Sequence, residues 1–222
     1  MEAYLDNSAT TRVDAQVQEL MKKLMDVDFG NPSSRHQKGV VAEGYIKEAR
    51  QKIAATLKVD PKELIITSGG TESNNMALIG TALAAKRKGN HIITTAVEHP
   101  SVKATTSFLE EQGFRITFLS VDSRGQISLE DLKEALTPDT ILVSIMYVNN
   151  EIGTIQPVEE AAKLVHATVP GAVFHVDAIQ AYGKVMIRPK QQGIDLLSVS
   201  SHKFHGPKGA GFLYCSSKVN LH

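Results

Sequence analysis

Leu64-Ile65-Ile66-Thr67-Ser68-Gly69-Gly70-Thr71-Glu72-Ser73 passes within a few residues from an apolar run, through two glycines, into a stretch with helical periodicity. The run 64–67 is short and apolar enough to be a buried strand, and a helix is predicted from about 71 to 86. The same alternation continues in both directions. Further strands are predicted at 92–95, 116–121, 141–147, 172–176 and 194–199, and 211–215 is strand-like. Helices are predicted at 14–25, about 40–57, 101–111, 129–136 and 158–165. The first of these carries Val17, Leu20, Met21 and Leu24 on one face. Continuous apolar strands separated by helices predict an α/β fold, with a mainly parallel sheet covered by helices on both faces. No repeat, low-complexity tract or linker interrupts the pattern, so residues 1–222 are expected to form one domain. Ligands of such folds bind beyond the carboxyl ends of the strands.

Composition narrows the class. Of the 222 residues, 42% are hydrophobic, enough for a substantial core. Lys+Arg and Asp+Glu both number 24, so no net field favours nucleic acid or an anionic membrane. No apolar stretch has the length of a membrane span. The start, Met1 to Asp6, lacks the basic end and apolar core of a signal peptide, and the single cysteine, Cys215, suits a reducing compartment. A cytoplasmic location is expected.

The strand ends carry the chemistry. Run 172–176 leads into Asp177-Ala178-Ile179-Gln180, and run 194–199 into Ser200-Ser201-His202-Lys203. A carboxylate at one strand end and a lysine at the next suit pyridoxal phosphate (PLP). The lysine bonds the cofactor aldehyde, and the carboxylate keeps the pyridine nitrogen protonated so that the ring can accept electrons. Gly69 and Gly70, with a helix beginning near Thr71, could cradle a phosphate; equally, Ser68 or Thr71 could simply cap that helix. After 92–95 comes Glu98-His99-Pro100. Pro100 suits a first helical turn, leaving His99 at the corner, where an imidazole could stack on a cofactor, move a proton or serve only structure. After 141–147 come Asn149 and Asn150, able to cap a turn or bind a ligand's oxygens. A metal site built from His175, Asp177, His202, His205 and Cys215 is the competing constellation. It lacks helical ligand spacing or paired cysteines, and no metal is expected.

Taken together, these stretches resemble the cysteine desulfurases, among the class-V aminotransferase-like, fold-type I PLP enzymes. The resemblance rests on Tyr4 to Thr11, Gly30-Asn31-Pro32-Ser33-Ser34, Thr67 to Ser73, Glu98-His99, Val148 to Gly153, His175-Val176-Asp177 with Gln180, and Ser200 to Lys203 with Gly206-Pro207-Lys208-Gly209. It implies that residues 1–222 are the PLP-binding large domain. It further implies that Lys203 bonds the cofactor and moves protons, that Asp177 partners the pyridine nitrogen, and that Gln180 hydrogen-bonds the phenolic oxygen. His99 would stack on the ring and assist proton transfer, Gly70, Thr71, Ser200 and His202 would bind the phosphate, and Asn150 would lie near the ring and the substrate carboxylate. The implied reaction removes sulfur from L-cysteine, giving L-alanine and an enzyme persulfide for iron–sulfur cluster or thio-cofactor synthesis. A homodimer and sulfur-acceptor or scaffold proteins are implied as partners.

In one respect the sequence departs from the resemblance. Relatives continue into a second domain with the sulfur-accepting cysteine, the arginine that clamps the substrate carboxylate, and a segment reaching the partner subunit's phosphate site. The 222-residue chain alone is therefore expected to be inactive, with Cys215 a small core residue. Selenocysteine lyase or transaminase chemistry, or a non-catalytic binding role, are the alternatives.

Overall fold

The computed structural model describes residues 3–222; Met1 and Glu2, where the signal-peptide reading begins, lie outside the described residues. One seven-stranded sheet is formed by β1 (Leu64–Thr67), β2 (His91–Thr95), β3 (Arg115–Leu119), β4 (Thr140–Met146), β5 (Val173–Asp177), β6 (Leu196–Ser200) and β7 (Gly211–Cys215). Their order across the sheet is β1-β7-β6-β5-β4-β2-β3. The helices are α1 (Ala15–Asp26), α2 (Gln37–Leu57), α3 (Gly70–Ala85), α4 (Pro100–Glu111), α5 (Leu129–Ala135), α6 (Val158–Thr168) and the short α7 (Pro189–Gln192).

Neighbouring residues on the strands face opposite ways, and the core divides accordingly. Ile92, Leu142, Leu196 and Leu213 join Ala77 and Leu78 of α3 and Val102 and Leu109 of α4 in one cluster. Ile93, Val143, Leu197, Phe212 and Tyr214 join Leu57 of α2, Leu132 of α5 and Ala161 and Val165 of α6 in the other. Two adjacent residues feeding two cores is what makes these strands read as continuous apolar runs.

Not every run is parallel. β7 pairs antiparallel with both β6 and β1, whereas β2, β3, β4, β5 and β6 pair in parallel. Residues 201–210 are too few for a crossover helix, so the chain turns back beside β6. Ser201 N donates to the Ala210 carbonyl at 3.0 Å and closes the turn. Gly211 permits the insertion: a Cβ there would lie 2.5 Å from the Val199 carbonyl and 2.8 Å from Gly69 Cα.

Two strand bounds shift for local reasons. β3 stops at Leu119 because the turn after it is organised by Asp122, whose Oδ1 accepts from Arg124 N and Gln126 N. β6 starts at Leu196 because Gly193, at φ 72°, ends α7 in the left-handed region immediately before it. The amphipathic helix predicted at 14–25 forms, but none of its residues is buried: the described residues cover Val17, Met21 and Leu24 only in part and leave Leu20 exposed. Cys215 is only partly buried, at the margin of the α3–α4 core. Burial and the Glu63 carboxylate push its thiol up to about 11, far from the thiolate a sulfur acceptor needs.

Candidate active site

The parallel strands deliver their carboxyl ends to one edge of the sheet. β3 lies on one side of β2 and β4 on the other, so strand order reverses there and opens a crevice. A cavity with about 540 Å³ of empty space occupies that edge. Gly70, Thr71, His99, Asn150, Asp177, Gln180, Ser200, His202 and Lys203 all line it, together with Ser101, Met146, Val148 and Ile179. The nine residues that the resemblance assigns to cofactor or catalysis therefore reach one space, although they come from five segments between residues 70 and 203.

Asp177 closes β5 and is 4% exposed. Its Oδ1 accepts from Ile179 N at 3.0 Å and its Oδ2 from Asn74 Nδ2 at 2.8 Å. Burial pushes this acid up, while the Ile179 amide, the Asn74 side chain, His99 and Lys203 all favour its ionised form. Lys203 ends the 3₁₀ turn Ser201–Lys203 that follows β6. Its Nζ donates to the carbonyls of Ser8 at 2.6 Å and Ala9 at 2.8 Å, and Gln180 Nε2 donates to the same Ser8 carbonyl at 2.8 Å. Desolvation, and then Lys184, hold the Lys203 ammonium below the ordinary lysine range, which favours the nucleophilic amine. The N-terminal segment is seated on this turn: Thr11 N and Oγ1 both donate to the His202 carbonyl.

No side chain caps the start of α3. Its N-cap is Gly69, at φ 151°, with no side-chain cap bond. Ser68 does not cap the helix; its N and Oγ both donate to Glu72 Oε2. The first-turn N–H groups thus face an adjoining cleft bordered by Ser200, His202 and Lys208. At Gly70 a Cβ would lie 2.1 Å from Ile179 Cδ1, so the absence of a side chain lets Ile179 pack against the helix start.

His99 is the N-cap of α4, with Pro100 at the first helical position. Its Nδ1 accepts from Ser101 N at 3.1 Å, so one ring nitrogen caps the helix while the ring lines the cavity. The two asparagines after β4 divide their work. Asn149 is structural: its Oδ1 accepts from Glu151 N and Ile152 N, and its Nδ2 donates to the Val97 carbonyl. Asn150 faces the cavity.

Sequence patterns passed over Asn74, Ser101 and the role of Glu98. Asn74 stands one helical turn beyond Thr71, which is the signal that could have placed it on the same face. Glu98 is 3% exposed; its Oε1 accepts from Thr95 Oγ1 and Met146 N, both at 2.8 Å, tying the end of β2 to β4. Burial, and then the Asp177 carboxylate, push it from 4.5 up to about 8. Between those pH values the unfolded chain has released this proton while the folded chain keeps it. Rising pH therefore favours unfolding across that window. Urea midpoints should fall from about pH 5 to pH 8, by up to a few kcal/mol at roughly 1.4 kcal/mol per unit of separation. Glu98→Gln should flatten the profile. An identical pH dependence in the variant would refute the assignment.

A buried carboxylate, a lysine amine of lowered basicity and a helix start without a side-chain cap border this cavity. Among the described residues no three His, Cys, Asp or Glu side chains come together as a metal site. Nor is any described helix long and apolar enough to cross a membrane.

The sequence profile of the family described as Aminotransferase class-V matches residues 3–221. The chain belongs to that family. Among class-V relatives, it is 49% identical over 221 residues to the cysteine desulfurase IscS of Dictyoglomus turgidum, covering 100% of this chain and 56% of that protein. A solved structure of a NifS-like protein superposes with a TM-score of 0.98 at 42% identity, over 100% of this chain and 61% of that one. A structure of SspA in complex with cysteine gives a TM-score of 0.92 at 41% identity, over 96% of this chain and 61% of that one. The chain thus spans little more than half the length of these class-V proteins, with its sheet and helices throughout the matched portion.

Proposed function

We propose that residues 1–222 are the PLP-binding large domain of a cysteine desulfurase, which takes sulfur from L-cysteine and leaves L-alanine. The observation that carries this reading is the convergence of Lys203, Asp177, His99 and the uncapped start of α3 on one cavity, from separate strand ends. The names of the relatives, and a related structure holding cysteine, support the substrate. Bound PLP supplies an aldehyde that bonds amines and a ring that takes up the electron pair left when a substrate loses its α-proton.

The chain's own residues have clear tasks around that chemistry. The first-turn N–H groups of α3, the Ser200 hydroxyl, His202 and Lys208 offer donors and positive charge to a phosphate dianion. Asp177, whose ionised form is favoured by the Ile179 amide, the Asn74 side chain, His99 and Lys203, would accept the ring N–H and hold the proton there. Gln180 donates toward the phenolic oxygen, and Asn150 orients the substrate carboxylate. Lys203 would take the α-proton of the substrate, and His99 across the cavity would serve as the second proton-carrying group. Sulfur leaves the substrate by attack of an acceptor thiolate. The C–S bond breaks, the sulfur is retained as a persulfide, and the electron pair returns to the three-carbon fragment as alanine forms. Cys215, partly buried and held as a thiol, is not that acceptor. The persulfide cysteine lies elsewhere in the full-length enzyme, which we take to be a cytoplasmic homodimer serving sulfur-acceptor or scaffold proteins.

Incubating the full-length protein with PLP, L-cysteine and a dithiol reductant tests the proposal. Alanine and sulfide should appear in equal amounts. Release of a keto acid instead of alanine would establish a transaminase, and strong preference for selenocysteine a lyase of that substrate. Absence of any product with cofactor bound would point to a non-catalytic role.

A further inference from the structure

One buried amide beneath the cavity has no task in the chemistry above. Asn74 of α3 is completely buried, and both hydrogens of its Nδ2 are used: one reaches Asp177 Oδ2 at 2.8 Å, the other Ser101 Oγ at 3.1 Å. Ser101 in turn meets His99, its N donating to Nδ1 at 3.1 Å and its Oγ lying 2.8 Å from the same nitrogen.

The direction of each bond follows from its ends. A carboxylate only accepts, so Asn74 must turn its nitrogen toward Asp177. The backbone N–H of Ser101 only donates, so His99 Nδ1 must present a lone pair. Between them the Ser101 hydroxyl accepts from Asn74 and gives its own proton to Nδ1. A neutral His99 consequently carries its hydrogen on Nε2. Among the described residues the buried Asn74 carbonyl oxygen has no partner, a disfavoured arrangement, so the side chain is oriented by its two donors and not by its acceptor.

We infer that Asn74 is a positioning residue that, acting through the Ser101 hydroxyl, couples the ring orientation of His99 to the carboxylate orientation of Asp177. One amide thereby sets two walls of the cavity. Which ligand those walls serve rests on the PLP reading; the chain of bonds does not. Its contact with Asp177 also favours the ionised carboxylate over the neutral acid.

The test uses the full-length protein with ¹⁵N-labelled histidine, without cofactor and then titrated with PLP. In the parent, His99 Nδ1 should resonate as an unprotonated acceptor and Nε2 as a protonated nitrogen. Ser101→Ala removes one of the two donors to Nδ1 and should move that shift toward the value of a free acceptor nitrogen, Asn74→Ala by less, while the Ser101 backbone N–H keeps the tautomer. PLP affinity, read from visible absorbance, should fall about tenfold in Asn74→Ala, as expected for loss of one hydrogen bond to a charged group. The double variant should bind no worse than Asn74→Ala alone, because the second cut falls on a chain already broken. Parent-like His99 shifts in a folded Asn74→Ala protein, or affinity losses that multiply in the double variant, would overturn the inference. If Asn74→Ala does not fold, parent-like shifts in Ser101→Ala overturn it equally. A parent that takes up no PLP would sink the cofactor reading, while the nitrogen shifts still decide this one.

Discussion

On the proposed desulfurase reading, Lys203→Ala in the full-length protein should abolish covalent retention of PLP after borohydride reduction and lower cysteine turnover by at least three powers of ten. Both effects follow from removing one amine. The Lys203 Nζ is the cavity's one lysine amine, and desolvation with the neighbouring Lys184 keeps its basicity down. Loss of a positioned general base alone typically costs between 10² and 10⁴ in rate. Loss of the attachment point adds to that, since cofactor must then be held by its phosphate and ring contacts only. The fold should survive. Nζ bonds only the Ser8 and Ala9 carbonyls, and the N-terminal segment keeps its Thr11 contacts with the His202 carbonyl. Intact-mass measurement after borohydride treatment reads the outcome directly: a PLP adduct persisting in Lys203→Ala would place the attachment on another lysine. Lys184, whose Nζ lies 3.3 Å from Gln180 Oε1, is then the first to examine.

What the sequence reveals of this site, and what it hides, divides along one physical line. Asp177, Lys203, His99, Asn150 and Gly70 were legible because each follows an apolar run directly, and a parallel sheet presents all such run-ends at one edge. The logic is local and needs no knowledge of which strand neighbours which. Asn74, Ser101 and Glu98 were not legible because their roles depend on helix-to-strand packing. Asn74 matters only because α3 crosses the sheet with that residue above Asp177, far away in sequence. Hydrophobic periodicity records which face of α3 is inward but not what lies beneath it. The same limit explains β7. An apolar run of the right length reads alike in either direction, and only the short connection 201–210, together with a glycine where Val199 and Gly69 approach, makes it antiparallel. For α1 the periodicity was right about the helix and could not say what covers its apolar face.

Asp177→Asn should separate cofactor binding from catalysis. The substitution preserves size and removes one negative charge. At Oδ1 the new carbonyl can still accept from Ile179 N, as the carboxylate does at 3.0 Å. At the other position an NH₂ group would meet Asn74 Nδ2, donor against donor. Asn74 can relieve the conflict by turning its unpartnered Oδ1 toward the new amide, at the cost of its bond to Ser101. The fold therefore has an alternative hydrogen-bond arrangement, and PLP, held by Lys203 and the α3 cradle, should bind within about tenfold of the parent. That factor is the size of one charge-assisted hydrogen bond. Turnover has no such refuge. Without a carboxylate opposite it the ring nitrogen loses its proton at neutral pH, and nothing else buried at the cavity floor is an ionised acid. Glu98 does not line the cavity and cannot take its place. The electron pair left after α-proton removal is then poorly accommodated, and kcat should fall by two to four powers of ten, each worth about 1.4 kcal/mol of barrier. The PLP visible band should also shift with the changed ring protonation. Near-parent turnover in a variant that holds PLP normally would remove Asp177 from the mechanism.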